Sequence, residues 1–239
     1  MVQARTTIAA TLLATALIVS TAARAGAQIE ERLAPSVATV LSHAISDSPV
    51  PSRYAEGLQV RTWLTAMSPR LATRIPDVRE RQDFLATAHY EATRAGLDPQ
   101  LLLAIIQHES GFKKYAVSTA GARGYLQVMP FWTRLIGSGE NNLFHLRTNL
   151  RYGCVIMRHY LDMEGGDLYR ALGRYNGSLG RPEYPGAVLA NLNRFWLYEP
   201  AQVSATPHAP VTSAPFTRAA TPVAALGPLG VLAAQAAVR

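Results

Sequence analysis

The chain has 239 residues, of which 49% are hydrophobic and 16% charged, and its formal net charge is +7. That balance fits a folded body with a sizeable core and excludes a disordered chain. The acidic residues all fall between Glu30 and Glu199, so the middle is only mildly basic. No Lys/Arg stripe with interleaved aromatics marks a nucleic-acid groove, and nucleic acid is not an expected partner.

Arg5 and the apolar run Ile8 to Val19, followed by Ala25-Gly26-Ala27, read as an export signal over residues 1–27, cleaved before Gln28. The apolar run is short for a membrane span, so the protein is expected in the periplasm. Residues 28–78 read as a helical lead-in, with one segment over Ile29 to Ile45 and a second over Tyr54 to Ile75 that breaks at Ser68-Pro69. A main domain is expected over residues 79–200.

The first clear amphipathic helix spans Asp77 to Gly96, with Arg79, Arg81, Arg94 and Glu91 expected on a solvated face. Asp98-Pro99 then reads as an N-cap and first helical residue, opening an apolar helix that stops at Gly111. A loop of small residues, Ala116 to Gly124, leads to short helices over Tyr125 to Met129 and Phe131 to Ile136. Leu146 to Met163 is a long helix containing Cys154, the only cysteine, which reads as a buried apolar residue. Asp167 caps a helix running to Asn176, and Pro185 to Tyr198 forms the last one. No long stretch alternates as a strand would, so the fold class is all-α. Residues 201–239 hold five prolines, twelve alanines and no acid, a composition that reads as a disordered tail.

Leu102, Ile105, Ile106 and Glu109 share a face of the helix from Pro99. A carboxylate there is costly unless paired or used. It also lies at the negative end of the helix dipole, so both effects point to a raised pKa. A carboxyl still protonated near neutral pH can protonate a leaving sugar oxygen. A buried ion pair, for example with Arg123, is the competing reading from this helix alone.

Three blocks give that carboxyl a context: Glu109-Ser110-Gly111-Phe112, then Gly121 to Pro130 (Gly-Ala-Arg-Gly-Tyr-Leu-Gln-Val-Met-Pro), then Ala171 to Gly177 (Ala-Leu-Gly-Arg-Tyr-Asn-Gly). In this order the chain resembles the catalytic domain of soluble lytic transglycosylases, from about Asp83 to Trp196. The resemblance implies a lysozyme-like fold and peptidoglycan glycan strands as substrate. It implies that Glu109 is the sole catalytic acid/base and that Ser110 holds the sugar's N-acetyl group. Gln127 would contact substrate, while Tyr175 and Asn176 would orient Glu109 and line the cleft. It further implies cleavage of the MurNAc–GlcNAc β-1,4 bond with closure of a 1,6-anhydro ring.

Two positions depart from the family pattern, and both bear on substrate preference. Tyr125-Leu126 stands where Leu-Met is common, and Arg174 stands in place of alanine. No matched motif supplies a second carboxylate; Asp162, Glu164 and Asp167 read as cap and surface residues. His108-Glu109 opens a zinc-protease motif, but Phe112 occupies the place of its second histidine. No metal or other cofactor is expected. A monomer is the default, and an assembly partner in the cell envelope is compatible with the role. The alternatives are a goose-type lysozyme-like hydrolase and a non-catalytic wall-binding or assembly module.

Overall fold

A computed structural model describes residues 28–46 and 50–199. The export signal and the tail therefore lie outside the described residues. Within them the fold is all-α, with no strand and only two isolated bridges, Val117 to Arg123 and Arg123 to Val128. The α-helices are α1 (Pro35–Ile45), α2 (Leu58–Leu71), α3 (Val78–Arg94), α4 (Pro99–Glu109), α5 (Phe131–Ile136), α6 (Leu146–Met163), α7 (Leu168–Tyr175) and α8 (Glu183–Asn191). None of the described helices is long and apolar enough to cross a membrane.

The helix starts follow simple capping chemistry. Asp77, Asp98 and Asp167 each accept a backbone N–H from the first turn of the helix they open, at 2.8, 2.8 and 3.0 Å. Pro35 and Pro99 occupy first-turn positions, where a missing N–H costs nothing. α6 packs on α1, α3 and α7, while α4 packs on α3 and α8. Leu41 of α1 and Trp63, Met67 and Leu71 of α2 join the same buried cluster as Phe84, Leu102 and Leu150, so the lead-in helices share the main core.

Several local expectations change. Ile29 to Leu33 is not helical; the first helix starts at Pro35. Pro69 does not break α2, because it falls in the last turn, between the fully buried Met67 and Leu71. Tyr125 to Met129 is not a helix, since Gly124 (φ 74°) and Gln127 (φ 47°) are left-handed and close a tight turn instead. The last helix begins at Glu183, two residues earlier than expected, and widens into a π turn over Leu192–Trp196.

The solvated face of α3 is also partly wrong. Arg81 is buried and donates to the Ile75 carbonyl at 2.6 Å and the Pro76 carbonyl at 2.9 Å, closing the α2–α3 corner. Glu91 is 1% exposed and pairs with Arg151 of α6 at 2.7 Å. Cys154 is fully buried, and desolvation drives its thiol pKa well above the ordinary range, so it is an inert core residue.

Candidate active site

α4 is sheathed by protein over Leu101–Ile106, all six of which are buried. A helix enclosed all round over six residues has no single apolar face there, so the face argument for Glu109 gives way to a different one: after those six residues the helix returns to the surface in its last turn. There Gln107 fastens the helix by donating to Asn191 Oδ1 at 3.0 Å and accepting from Trp196 Nε1 at 2.8 Å. Glu109 follows as the last helical residue. The residue is half-buried, and its carboxyl is crowded by protein atoms.

That crowding sets its chemistry. Desolvation raises the Glu109 pKa from 4.5 to about 7, against a smaller lowering by the Tyr184 hydroxyl. Tyr184 is buried and donates to Glu109 Oε1 at 2.6 Å. Its own pKa is pushed well up, first by burial and then by the Glu109 charge, so it stays a donor. The His108 ring meets Tyr184 edge-on at 4.9 Å. Desolvation lowers the His108 pKa, which disfavours a cation beside the carboxyl. Among the described residues no ion pair reaches Glu109; Arg123 lies over the Phe144 ring, 6.0 Å from its centroid.

The chain then leaves the helix by a strained path. Gly111 (φ 58°) and Phe112 (φ 68°) are both left-handed, and among the described non-glycine residues only Phe112 and Gln127 adopt this region. Phe112 is held there by burial against Phe84 and Trp196, with centroids at 5.8 and 5.5 Å. Ser110 caps α4 and its hydroxyl donates back to the Ile106 carbonyl at 3.2 Å. Gln127 donates its amide N–H groups to the carbonyls of Gly124 at 2.9 Å and Ala116 at 3.2 Å. Its amide oxygen is the end not used in these bonds.

Asn149, fully buried in α6, organises this loop. Its Oδ1 accepts from Leu126 N at 2.9 Å, while Nδ2 donates to the carbonyls of Leu143 at 2.8 Å and Arg123 at 2.9 Å. A Cβ on Gly124 would sit 2.4 Å from that Nδ2, so glycine is required there by space as well as by φ. Neither Tyr184 nor Asn149 was singled out from the sequence. For Asn149 the signal was a short polar side chain on the core side of an apolar helix. For Tyr184 the only cue was an aromatic beside Pro182 and Pro185 at a helix start.

Tyr175 is buried and donates to the Leu126 carbonyl at 2.8 Å; the bond to Glu109 comes from Tyr184 instead. Desolvation, followed by the Glu109 charge, pushes the Tyr175 pKa well up, which brings it into the electrostatic neighbourhood of the carboxyl. Asn176 caps α7 and spends its amide on Ser178 Oγ at 3.0 Å. Tyr125 is buried against Phe84, and Arg174 is held by Glu164, with Nε to Oε1 at 2.7 Å. Arg170 binds the same carboxylate, and the two guanidiniums lower its pKa. A cavity of about 530 Å³ lined by Val37, Leu41, Ala44 and His159 holds none of these site residues. Among the described residues no three His, Cys, Asp or Glu side chains converge as metal ligands would.

An all-α body whose central helix ends on a single carboxyl with a pKa near neutral, backed by a tyrosine hydroxyl, defines a lysozyme-like domain. Residues 87–184 match the family model of the transglycosylase SLT domain. The match ends on Tyr184, the residue that holds Glu109. The chain is 32% identical over 104 residues to a transglycosylase of Enterobacteria phage PRD1, covering 41% of this chain and 38% of that protein. It is 46% identical over 73 residues to membrane-bound lytic murein transglycosylase C of Actinobacillus pleuropneumoniae, covering 30% and 20% of the two chains. The protein of that name from Haemophilus influenzae is 42% identical over 62 residues, covering 26% and 17%. The chain thus spans well under half the length of each of these relatives.

Proposed function

We propose that this chain is a peptidoglycan lytic transglycosylase that cleaves the β-1,4 bond between MurNAc and GlcNAc, with Glu109 as its one acid/base. The observation that carries the reading is the Glu109 carboxyl itself, with its pKa near 7 and only burial and the Tyr184 hydroxyl acting on it. No neighbouring carboxylate is among the causes of the shift, whereas two-carboxylate glycosidases place their pair about 5–10 Å apart. One carboxyl has to serve both halves of the reaction.

With its pKa raised to about 7, Glu109 is available near neutral pH both as the acid and as the carboxylate. In the first half the acid form gives its proton to the glycosidic oxygen as the C1–O bond breaks. The sugar's 2-acetamido oxygen bonds C1 and takes up the positive charge. In the second half the Glu109 carboxylate removes the proton from the 6-hydroxyl of the same sugar, whose oxygen displaces the acetamido group and closes the 1,6-anhydro ring. Proton and electron pairs balance without water. Tyr184 steadies the carboxylate between the two halves. Ser110, Gln127, Tyr175 and Asn176 are assigned to substrate binding around it.

Action on the wall also agrees with the export signal read in residues 1–27 and with the relatives named for murein and for the membrane. The periplasm is the assigned compartment. The test is mass spectrometry of soluble products from purified peptidoglycan. Anhydro-muropeptides from the wild type, absent with Glu109→Gln, are the expected result. Reducing muropeptides would make the protein a hydrolase, and no product from either form would make it a binding module.

A further inference from the structure

The segment before α1 carries chemistry that the reaction does not use. Ile29 is 60% exposed, yet Gln28 beside it is only 5% exposed. A buried carboxamide needs partners, and Gln28 finds them beside the site. Its Oε1 accepts from Met129 N at 3.2 Å, two residues beyond Gln127. The same amide lies within hydrogen-bonding reach of the Tyr175 side chain. Two ion pairs then fasten the segment: Glu31 to Arg174 at 3.4 Å and Glu30 to Arg134 at 3.7 Å. Arg174, one of the two departures from the family pattern, is the residue that anchors Glu31. Both pairs are solvent-exposed and weak, which makes the attachment easy to undo.

We propose that residues 28–33 form a strap that closes part of the groove in the resting protein, with the Gln28 carboxamide standing in for a sugar's 2-acetamido group. The two groups are the same planar amide, each offering a carbonyl acceptor and an N–H donor. Met129 N can serve only one of them at a time, so a glycan strand binds after Gln28 withdraws. The proposal rests on reading the groove as a glycan site, and it adds a self-blocking step to that reading. A strand that makes many contacts displaces the strap, whereas a short fragment competes with it poorly.

The test compares the chain from Gln28 onward, the form that export would leave, with Gln28→Ala and with a deletion of residues 28–33, which leaves α1 whole. Tri-N-acetylchitotriose is titrated calorimetrically into each form, and KM and kcat are measured on peptidoglycan. Losing one neutral hydrogen bond and two weak ion pairs should lower Kd and KM by about threefold to tenfold, with kcat unchanged. A purely structural role predicts a lower melting temperature with KM unchanged or raised, and that outcome overturns the strap. If no form yields anhydro products, the transglycosylase reading fails alone, since the Kd comparison still decides the strap. Equal Kd in all forms, or no saccharide binding by any, overturns it.

Discussion

Replacing Glu109 by glutamine isolates the energetic consequence of holding a carboxyl in this site. The folded-state pKa is about 7 against 4.5 for the free group. The folded protein therefore keeps a proton that the unfolded chain has released. Stability falls as pH rises through that window, with the loss starting near pH 4.5 and complete once pH exceeds about 7. At about 1.4 kcal/mol per pH unit, the full loss is about 3 kcal/mol. Glutamine keeps an acceptor for the Tyr184 hydroxyl and does not titrate. The variant and the wild type should melt together near pH 4 and diverge as pH rises. By pH 8 the inactive variant should be the more stable by about 6–12 °C, at about 2–4 °C per kcal/mol for a body of this size. Differential scanning calorimetry at four or five pH values measures the difference directly, and other titrating groups cancel because both proteins carry them. A pH-independent difference would refute the assignment of a desolvated, proton-bearing Glu109.

Tyr184→Phe removes the one contact that lowers the Glu109 pKa, so the alkaline limb of the pH–rate profile should move to higher pH. Turnover should fall about tenfold from the loss of a hydrogen bond to a charged group, and an unmoved limb would count against Tyr184 as the partner. Glu91→Ala removes the buried carboxylate that Arg151 binds through Nε and Nη2; urea unfolding should show a loss of about 1.5–3 kcal/mol, the range for hydrogen bonds to charged groups, while the pH–rate profile of the folded fraction stays the same. Gly124→Ala forces a left-handed alanine against Asn149 and the Leu143 carbonyl, 2.4 and 2.6 Å from its Cβ. It should raise KM and lower the melting temperature together, because the same Asn149 holds the Arg123 to Val128 turn.

What could be read from the sequence follows from the range of each interaction. Helix starts depend on a cap and the next three residues, so Asp98 and Asp167 were legible in the chain and act as expected. Glu109 was legible as a costly carboxylate, although the physical reason differs. The cost comes from crowding at the end of a helix whose middle is buried on every side, not from one apolar stripe. Tyr184 was not legible, because the bond that gives it meaning joins residues 75 positions apart. The same limit explains Arg81 and Glu91, whose charges look solvated in a helical wheel but meet their partners only when the α2–α3 corner and α6 close over them.

The turn from Arg123 to Val128 shows most clearly how local propensity yields to a tertiary contact. Tyr-Leu-Gln-Val-Met reads as the start of a helix when taken alone. In the fold, Asn149 reaches in from α6 and takes the Leu126 N–H, the Arg123 carbonyl and the Leu143 carbonyl at once. A short helix over Tyr125 to Met129 would instead leave the Leu126 N–H among its unpaired first-turn donors. Three bonds from one buried side chain, together with a left-handed glycine and a left-handed Gln127, make the turn the better solution. The cost is strain at Gln127, and its effect is positional. Two backbone carbonyls hold the Gln127 amide in place, while Leu126 presents its carbonyl to the Tyr175 hydroxyl. The assigned binding residues on the loop and on α7 thus meet through one asparagine that touches neither Glu109 nor Tyr175 in any bond. The turn that carries the motif is therefore set from α6 by Asn149, whereas the carboxyl itself is held by Tyr184 of α8.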